Sequence, residues 1–278
     1  MPNPVSRITH HASRSLRAFT MIEIAVSLAI IGFALVAIIG VLPYGMNVQK
    51  DNREETIINQ DSTVFINAIR NGAQGLDDLT NYVLTITNEV WRYQNGVVSG
   101  TRFGRYGYTN SPSSQFPLIN GSRIVGLLST PKYIPWTEGR FSGFYSNNVV
   151  AYVRSMSGPA NEKFPQNNSS MQDLAFSYLM TSEVVPYGTN YYDLSWTADT
   201  NYVKVLNNLG NNLHDVRLLF RWPLRSRGKT GQSGQSFRTL IGGFLQETNE
   251  IGFLRPNPLM PSPYDLYFFQ PRTYVKAP

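Results

Sequence analysis

The chain has 278 residues, 42% of them hydrophobic and 15% charged, enough apolar material for one good-sized globular domain with an attached segment, which excludes disorder of the whole. It carries 24 Lys and Arg against 18 Asp and Glu, but Arg7, Arg14 and Arg17 precede Phe19 with no acid among them, so the remainder is 21 against 18 and net charge makes no case for nucleic acid as a partner. With 0 Cys, disulfides, thiolate chemistry and cysteine zinc sites are excluded, although this does not choose a compartment.

Residues 1–18, "MPNPVSRITHHASRSLRA", are basic and polar, and the positive-inside bias keeps such a leader cytoplasmic. From Phe19 to Leu42 run 24 residues with Glu23 as the only charge. As a helix they extend roughly 36 Å, which covers a hydrocarbon core of roughly 30 Å. The run is therefore a transmembrane segment, with the C-terminal bulk outside the cytoplasm. A carboxylate inside it costs about 2.5–3.5 kcal/mol unless it finds a partner, and by default it marks a function. Two plainer readings stand beside that one: a secretory signal peptide, against which the length of the run and the poor cleavage site in "VLPYGMNVQ" both speak, and a simple signal anchor with Glu23 near the interface.

Gly32, Gly40 and Pro43 interrupt an otherwise strong helix and predict a kink or a locally unwound turn near Gly40 to Gly45; alternatively they reflect the general frequency of Gly and Pro in membrane helices. Residues 43–75 continue as an amphipathic helix. Ile57, Ile58, Val64, Phe65, Ala68 and Ile69 recur at helical spacing, Lys50, Asp51, Arg53, Glu54 and Glu55 are solvated, and Gly72 and Gly75 are suitable stops.

From residue 76 to 278 the helical period gives way to short runs rich in aromatic and branched residues: "NYVLTITNEVWRY", "VVAYVRSM", "LAFSYLMTSEVV", "NYVKVL", "HDVRLLFRWPL" and "RTLIGGFL". Gln94, Asn95 and Gly96 predict a hairpin turn. The fold class expected is α+β, a long N-terminal helix packed on an antiparallel β-sheet head.

Chemistry is sparse in this head. His10 and His11 lie in the leader and His214 stands alone in a strand-like run, as expected of a satisfied structural histidine. No nucleophile elbow, phosphate loop or metal-protease helix is present, so no catalytic residue, resident metal or cofactor is expected. Asp77 and Asp78 read as an ordinary turn or helix cap, with calcium binding as the alternative. In "RWPLRSRGKTGQSGQSFR", Arg221, Arg225, Arg227, Lys229 and Arg238 surround Trp222 in an expected loop, which is either a solvated surface or a site for an anionic polymer. Trp91, Trp136 and the Tyr-rich "GRYGYTNSPSSQF" and "GRFSGFYSNN" fit either a glycan or partner surface or plain packing.

The stretch "RAFTMIEIAVSLAIIGFALVAIIGVLPYG" resembles the N-terminus of type IV pilins and pseudopilins, with their prepilin-type cleavage and methylation segment. The resemblance implies cleavage by a prepilin peptidase between Ala18 and Phe19, N-methylation of Phe19, and an assembly role for Glu23, which pairs with the N-terminal amine of a neighbouring subunit and sets register. Where the family usually has Gly before the cut, this chain has Ala18. The partners implied are the peptidase and methyltransferase, other pilin or pseudopilin subunits and an inner-membrane assembly platform, in a type IV pilus or type II secretion-like filament. The size of the head points to a minor subunit. "IGVLPYG" with "HDVRLLFRWPL" is also similar to the prepilin-like Verru_Chthon cassette B proteins.

Overall fold

A computed structural model describes residues 19–72, 76–111, 113–157, 176–188, 200–225, 228–249 and 262–276. The chain forms two compact units, Met1–Arg53 and Glu54–Pro278.

The first unit consists, over its described residues, of the N-terminal part of helix α1 (Met21–Asn71). One window of this helix has a mean hydropathy of 2.8 and is 0% buried, so by length and composition it suffices to cross a membrane. The unwound turn expected near Gly40 to Gly45 does not form, because α1 runs on through Gly40 and Pro43. Proline removes one backbone donor and crowds the preceding turn, at a cost of about 3 kcal/mol. Opening the helix there frees further N–H and C=O groups with no partner nearby, so the local penalty is the smaller one.

The second unit is built on a sheet. The strands are β1 (Val83–Gln94), β2 (Val97–Thr109), β3 (Tyr133–Glu138), β4 (Phe141–Arg154), β5 (Ser177–Pro186), β6 (Leu213–Leu224) and β7 (Thr230–Gly242). Their order is β2-β1-β4-β5-β6-β7, with β3 paired to β4 and every pairing antiparallel. Branched and aromatic residues favour this pleated arrangement, and burial alternates with period two. On β5, for example, Tyr178, Met180, Ser182 and Val184 point inward and their neighbours outward. The β1–β2 turn forms as expected at Asn95 and Gly96, both with positive φ (49° and 77°), the conformation that a tight hairpin demands.

The rest of α1, from Glu54, covers the inner face of the sheet. Ile58, Phe65, Ala68 and Ile69 are buried there among sheet residues such as Ile86, Met180 and Phe220. The helix stops where predicted: Gly72 has φ 65°, and a Cβ on it would lie 2.6 Å from the Phe269 carbonyl oxygen, so the close approach of the Phe269 backbone requires glycine. A short helix α2 (Gly121–Leu128) also joins the core, started by Asn120, whose side chain accepts the Arg123 N–H at 2.8 Å. Above it lies the ribbon of β8 (Phe244–Asn249) and β9 (Asp265–Gln270). Gly126 makes this possible, since a Cβ there would sit 2.8 Å from the Leu266 and Phe268 side chains.

Two elements depart from expectation. "NYVKVL" is part of helix α3 (Thr200–Asn212) rather than a strand. Val203, Leu206 and Leu209 recur every third residue and are half-buried while Tyr202 and Val205 stay exposed, a one-sided burial that a helix provides. The stretch from Thr230 to Phe237 is the first part of strand β7 rather than loop, because its backbone pairs with β6; the rest of β7, from Arg238, is the strand expected in "RTLIGGFL".

A fragment beginning at Gln49, which retains the docked part of α1, is expected to be soluble and to melt cooperatively, whereas one beginning at Gly72 exposes core and aggregates. Within the longer fragment, Phe65→Ala should cost about 3–5 kcal/mol, the penalty for a fully buried aromatic. Val64→Ala, next to it but 40% exposed, should change stability by less than about 0.5 kcal/mol. Denaturant melts measure both.

Candidate functional site

Among the described residues, three places gather side chains that carry chemistry: the start of α1, the docked face of α1, and a cavity at one end of the sheet.

At the start of α1, Phe19 is 79% exposed, and Ala18 lies outside the described residues. Glu23 is engaged within its own chain. Its Oε2 accepts from the Thr20 backbone N–H and from the Thr20 hydroxyl, both at 3.2 Å, and the Glu23 N–H donates to Thr20 Oγ1 at 3.3 Å. This is a reciprocal capping box: Thr20 at the N-cap and Glu23 three residues on satisfy donors that a helix start leaves open, and the carboxylate opposes the positive end of the helix dipole. "TMIE" carries that spacing in the sequence. Around it, Met21 to Leu42 expose an apolar surface on every side.

The docked face of α1 holds a carboxylate that the helical period alone does not call for. Asp61 is 0% exposed, yet it sits in the middle of the apolar stripe, between Ile57, Ile58 and Phe65. Four donors meet it: the Met156 and Ser157 backbone N–H groups at 3.0 and 3.1 Å, the Ser157 hydroxyl at 2.7 Å and the Tyr178 hydroxyl at 3.0 Å. Burial raises its pKa, and these hydrogen bonds pull against that rise. The Tyr178 phenol, buried beside the carboxylate, is held well above its ordinary value by burial first and by Asp61 second. An acid at helical spacing inside an apolar stripe is the signal by which the sequence marks Asp61.

The polymer-binding loop does not assemble as expected. Arg221, Arg225 and Lys229 are exposed and Arg227 lies outside the described residues, but Trp222 is 5% exposed and packs in the core. The alternation of β6 explains this, since from Val216 to Trp222 its even-numbered residues are buried and its odd-numbered ones partly or fully exposed. Arg238 leaves the group as well: with Arg217 it clasps Asp215, at 2.8 and 2.6 Å. Burial alone would raise the Asp215 pKa, but the two guanidinium groups overcome it and hold the carboxyl below its usual range.

Trp136, too, is a packing residue, 3% exposed, with its Nε1 donating to the Tyr93 carbonyl at 3.2 Å and the Arg92 guanidinium 4.0 Å from its ring centroid. Asp77 acts as a cap, its Oδ1 accepting the Gly121 N–H at 3.0 Å. Among the described residues no group of three or more His, Asp or Glu side chains is placed to hold a metal.

His214 is buried as expected, but it is not satisfied. Its Nδ1 has no hydrogen-bond partner, its ring meets Phe269 edge-on at 5.3 Å between centroids, and burial lowers its pKa to about 4. It lines a cavity of about 310 Å³, together with residues of β3, α3, β8 and β9.

These features define an α+β protein in which a helix packs on an antiparallel sheet and carries, at its N-terminal end, an apolar segment compatible with a pilin-like fold. Set against known proteins, the chain matches no family model, no curated protein and no solved structure.

Two variants test the buried groups. Asp61→Asn keeps the shape but turns an N–H donor toward the Asp61 partners, and should cost roughly 3 kcal/mol. Its readout is the denaturation midpoint. For His214 the sign follows from its depressed pKa. Between about 4 and 6.5 the unfolded chain binds a proton that the folded chain refuses, so stability falls as pH drops through that window. The loss is on the order of 3 kcal/mol. His214→Phe should flatten this limb in melts taken from pH 7 to pH 4. Asp61 works in the opposite sense, its raised pKa favouring the folded state as pH falls.

Proposed function

We propose that this chain is a prepilin-like structural subunit, a minor pilin or pseudopilin of a type IV pilus or type II secretion-like filament. The observation that carries the proposal is a helix start whose apolar surface is exposed all round with Glu23 as its single carboxylate, on a helix whose later turns dock on an antiparallel head. A surface of this kind is stable in lipid or against other copies of itself, not in water. In this proposal the basic leader stays cytoplasmic, a prepilin peptidase cuts between Ala18 and Phe19, and the α-amine of Phe19 is methylated. The segment is held in the bacterial inner membrane with the head outside the cytoplasm. An assembly platform then brings subunits together, and Glu23 meets the cationic amine of a neighbour, so that two charges costly in an apolar surround offset each other.

A second function has one observation in its favour. The capping box gives Glu23 an intrachain partner in Thr20, which is all that a signal-anchored binding module that never polymerises requires.

Two measurements separate them. Protein recovered from membranes of cells with an active prepilin peptidase should begin at methylated Phe19 by intact mass and N-terminal sequencing; a Met1 or Pro2 terminus overturns the prepilin proposal. In neighbour crosslinking, Glu23→Ala should reduce crosslinks by about tenfold or more if a charge pair worth over about 1.4 kcal/mol is lost. Thr20→Ala, which removes only a cap of about 1 kcal/mol, should leave them nearly unchanged. Equal and small effects of the two variants assign Glu23 to capping alone.

A further inference from the structure

The head holds a cavity on which the proposed function does not draw. It measures about 310 Å³ and lies between β3, the end of β5, the junction of α3 with β6, and the β8–β9 ribbon. That is the low end of the roughly 300–1,000 Å³ typical of small-molecule sites. Its walls are flat and apolar, formed by Pro135, Pro186, Tyr133, Phe244 and Tyr267. Proline and aromatic rings present rigid planes that need little ordering on binding, and they suit a flat guest better than a flexible chain.

His214, Asn211 and Glu247 set polar groups into these walls, and His214 is the most deeply seated of the three. His214 is 4% exposed, and its Nδ1 is sealed without a partner, so the edge of the ring left for the cavity carries Nε2. Burial keeps the ring neutral down to about pH 4. A neutral imidazole offers one N–H and one lone pair, and whichever tautomer is present, Nε2 asks for a group that can answer it. A hydroxyl does so in either case, because it both donates and accepts. Charge is disfavoured by the mostly apolar walls.

We propose that this cavity binds an uncharged phenolic ring, its hydroxyl hydrogen-bonded to His214 and its ring held between the proline and aromatic walls. Two sources share that chemistry, a free phenolic compound and the tyrosine side chain of another polypeptide. The site stands whether or not the chain assembles into filaments.

The test uses the full chain in lipid nanodiscs, labelled with ¹⁵N-histidine and carrying His10→Gln and His11→Gln so that His214 alone reports. Phenol should shift the His214 ring nitrogens saturably. Toluene, the same shape without the hydroxyl, should bind about tenfold more weakly, the cost of leaving a buried polar group unanswered. Leu245→Trp, which fills the cavity from its wall, should abolish the shift while the protein still melts cooperatively. N-acetyltyrosinamide binding more tightly than phenol supports the site and names a polypeptide as the source; weaker binding supports it and names a free compound. An unsaturable or absent His214 shift with phenol, or equal binding of phenol and toluene, overturns the proposal, and this contrast on the wild-type head holds even if Leu245→Trp does not fold.

Discussion

The docking of α1 on the sheet turns on Asp61. A carboxylate taken out of water costs several kcal/mol unless donors replace the lost hydration, and here two backbone N–H groups and two hydroxyls do so. Those donors belong to the segment just after β4 and to β5, so the charge is satisfied where that segment meets the helix. Apolar contacts at Ile58, Phe65 and Ile69 supply the driving force for burying the helix, but they are non-directional and would accept neighbouring alignments. Sliding α1 by one turn, about 5.4 Å, would carry Asp61 away from all four of these donors. Hydrophobic burial thus decides that the helix docks, and Asp61 decides where.

This division also explains what could be read from the residues. Period-two alternation in β5 and β6, the helical stripe from Ile57 to Ile69 and the Asn95–Gly96 turn are local patterns, each fixed by backbone geometry, and each appears where the sequence placed it. What escaped depends on partners far along the chain. Asp61 meets Ser157 and Tyr178, and nothing near residue 61 announces them. "NYVKVL" has strand-like composition, yet its burial is one-sided along a helix. Trp222, surrounded by arginines in sequence, turns inward because strand alternation outweighs the company it keeps. The cavity beside His214 draws on β3, β5, α3, β6, β8 and β9, a convergence that no short motif encodes.

Glu23 is a separate case, since the acid was legible and its local partner was not named. The spacing from Thr20 makes a capping box, which satisfies the carboxylate in an isolated chain. An amine supplied by a second subunit would have to compete with that cap. The competition is uneven in a low-dielectric surround, where a full charge pair is stronger than a hydrogen bond from a neutral hydroxyl. A chain waiting alone in a membrane and a chain in contact with a neighbour can therefore hold Glu23 in different ways without any change in the helix that carries it.

The close seating of β9 over α2 has a temporal side. Gly126 leaves just enough room for Leu266 and Phe268, and Ile124, Val125, Leu127 and Leu128 are all buried in the finished head. Yet α2 ends at Leu128 and β9 begins only at Asp265, more than a hundred residues later. During synthesis, or during export from the N-terminal end, the apolar flank of α2 exists long before its cover emerges. Contacts of such sequence separation form late, because the loop between them must be closed first. For that interval the nascent head presents a sticky surface, which makes its biogenesis a problem of shielding as much as of folding.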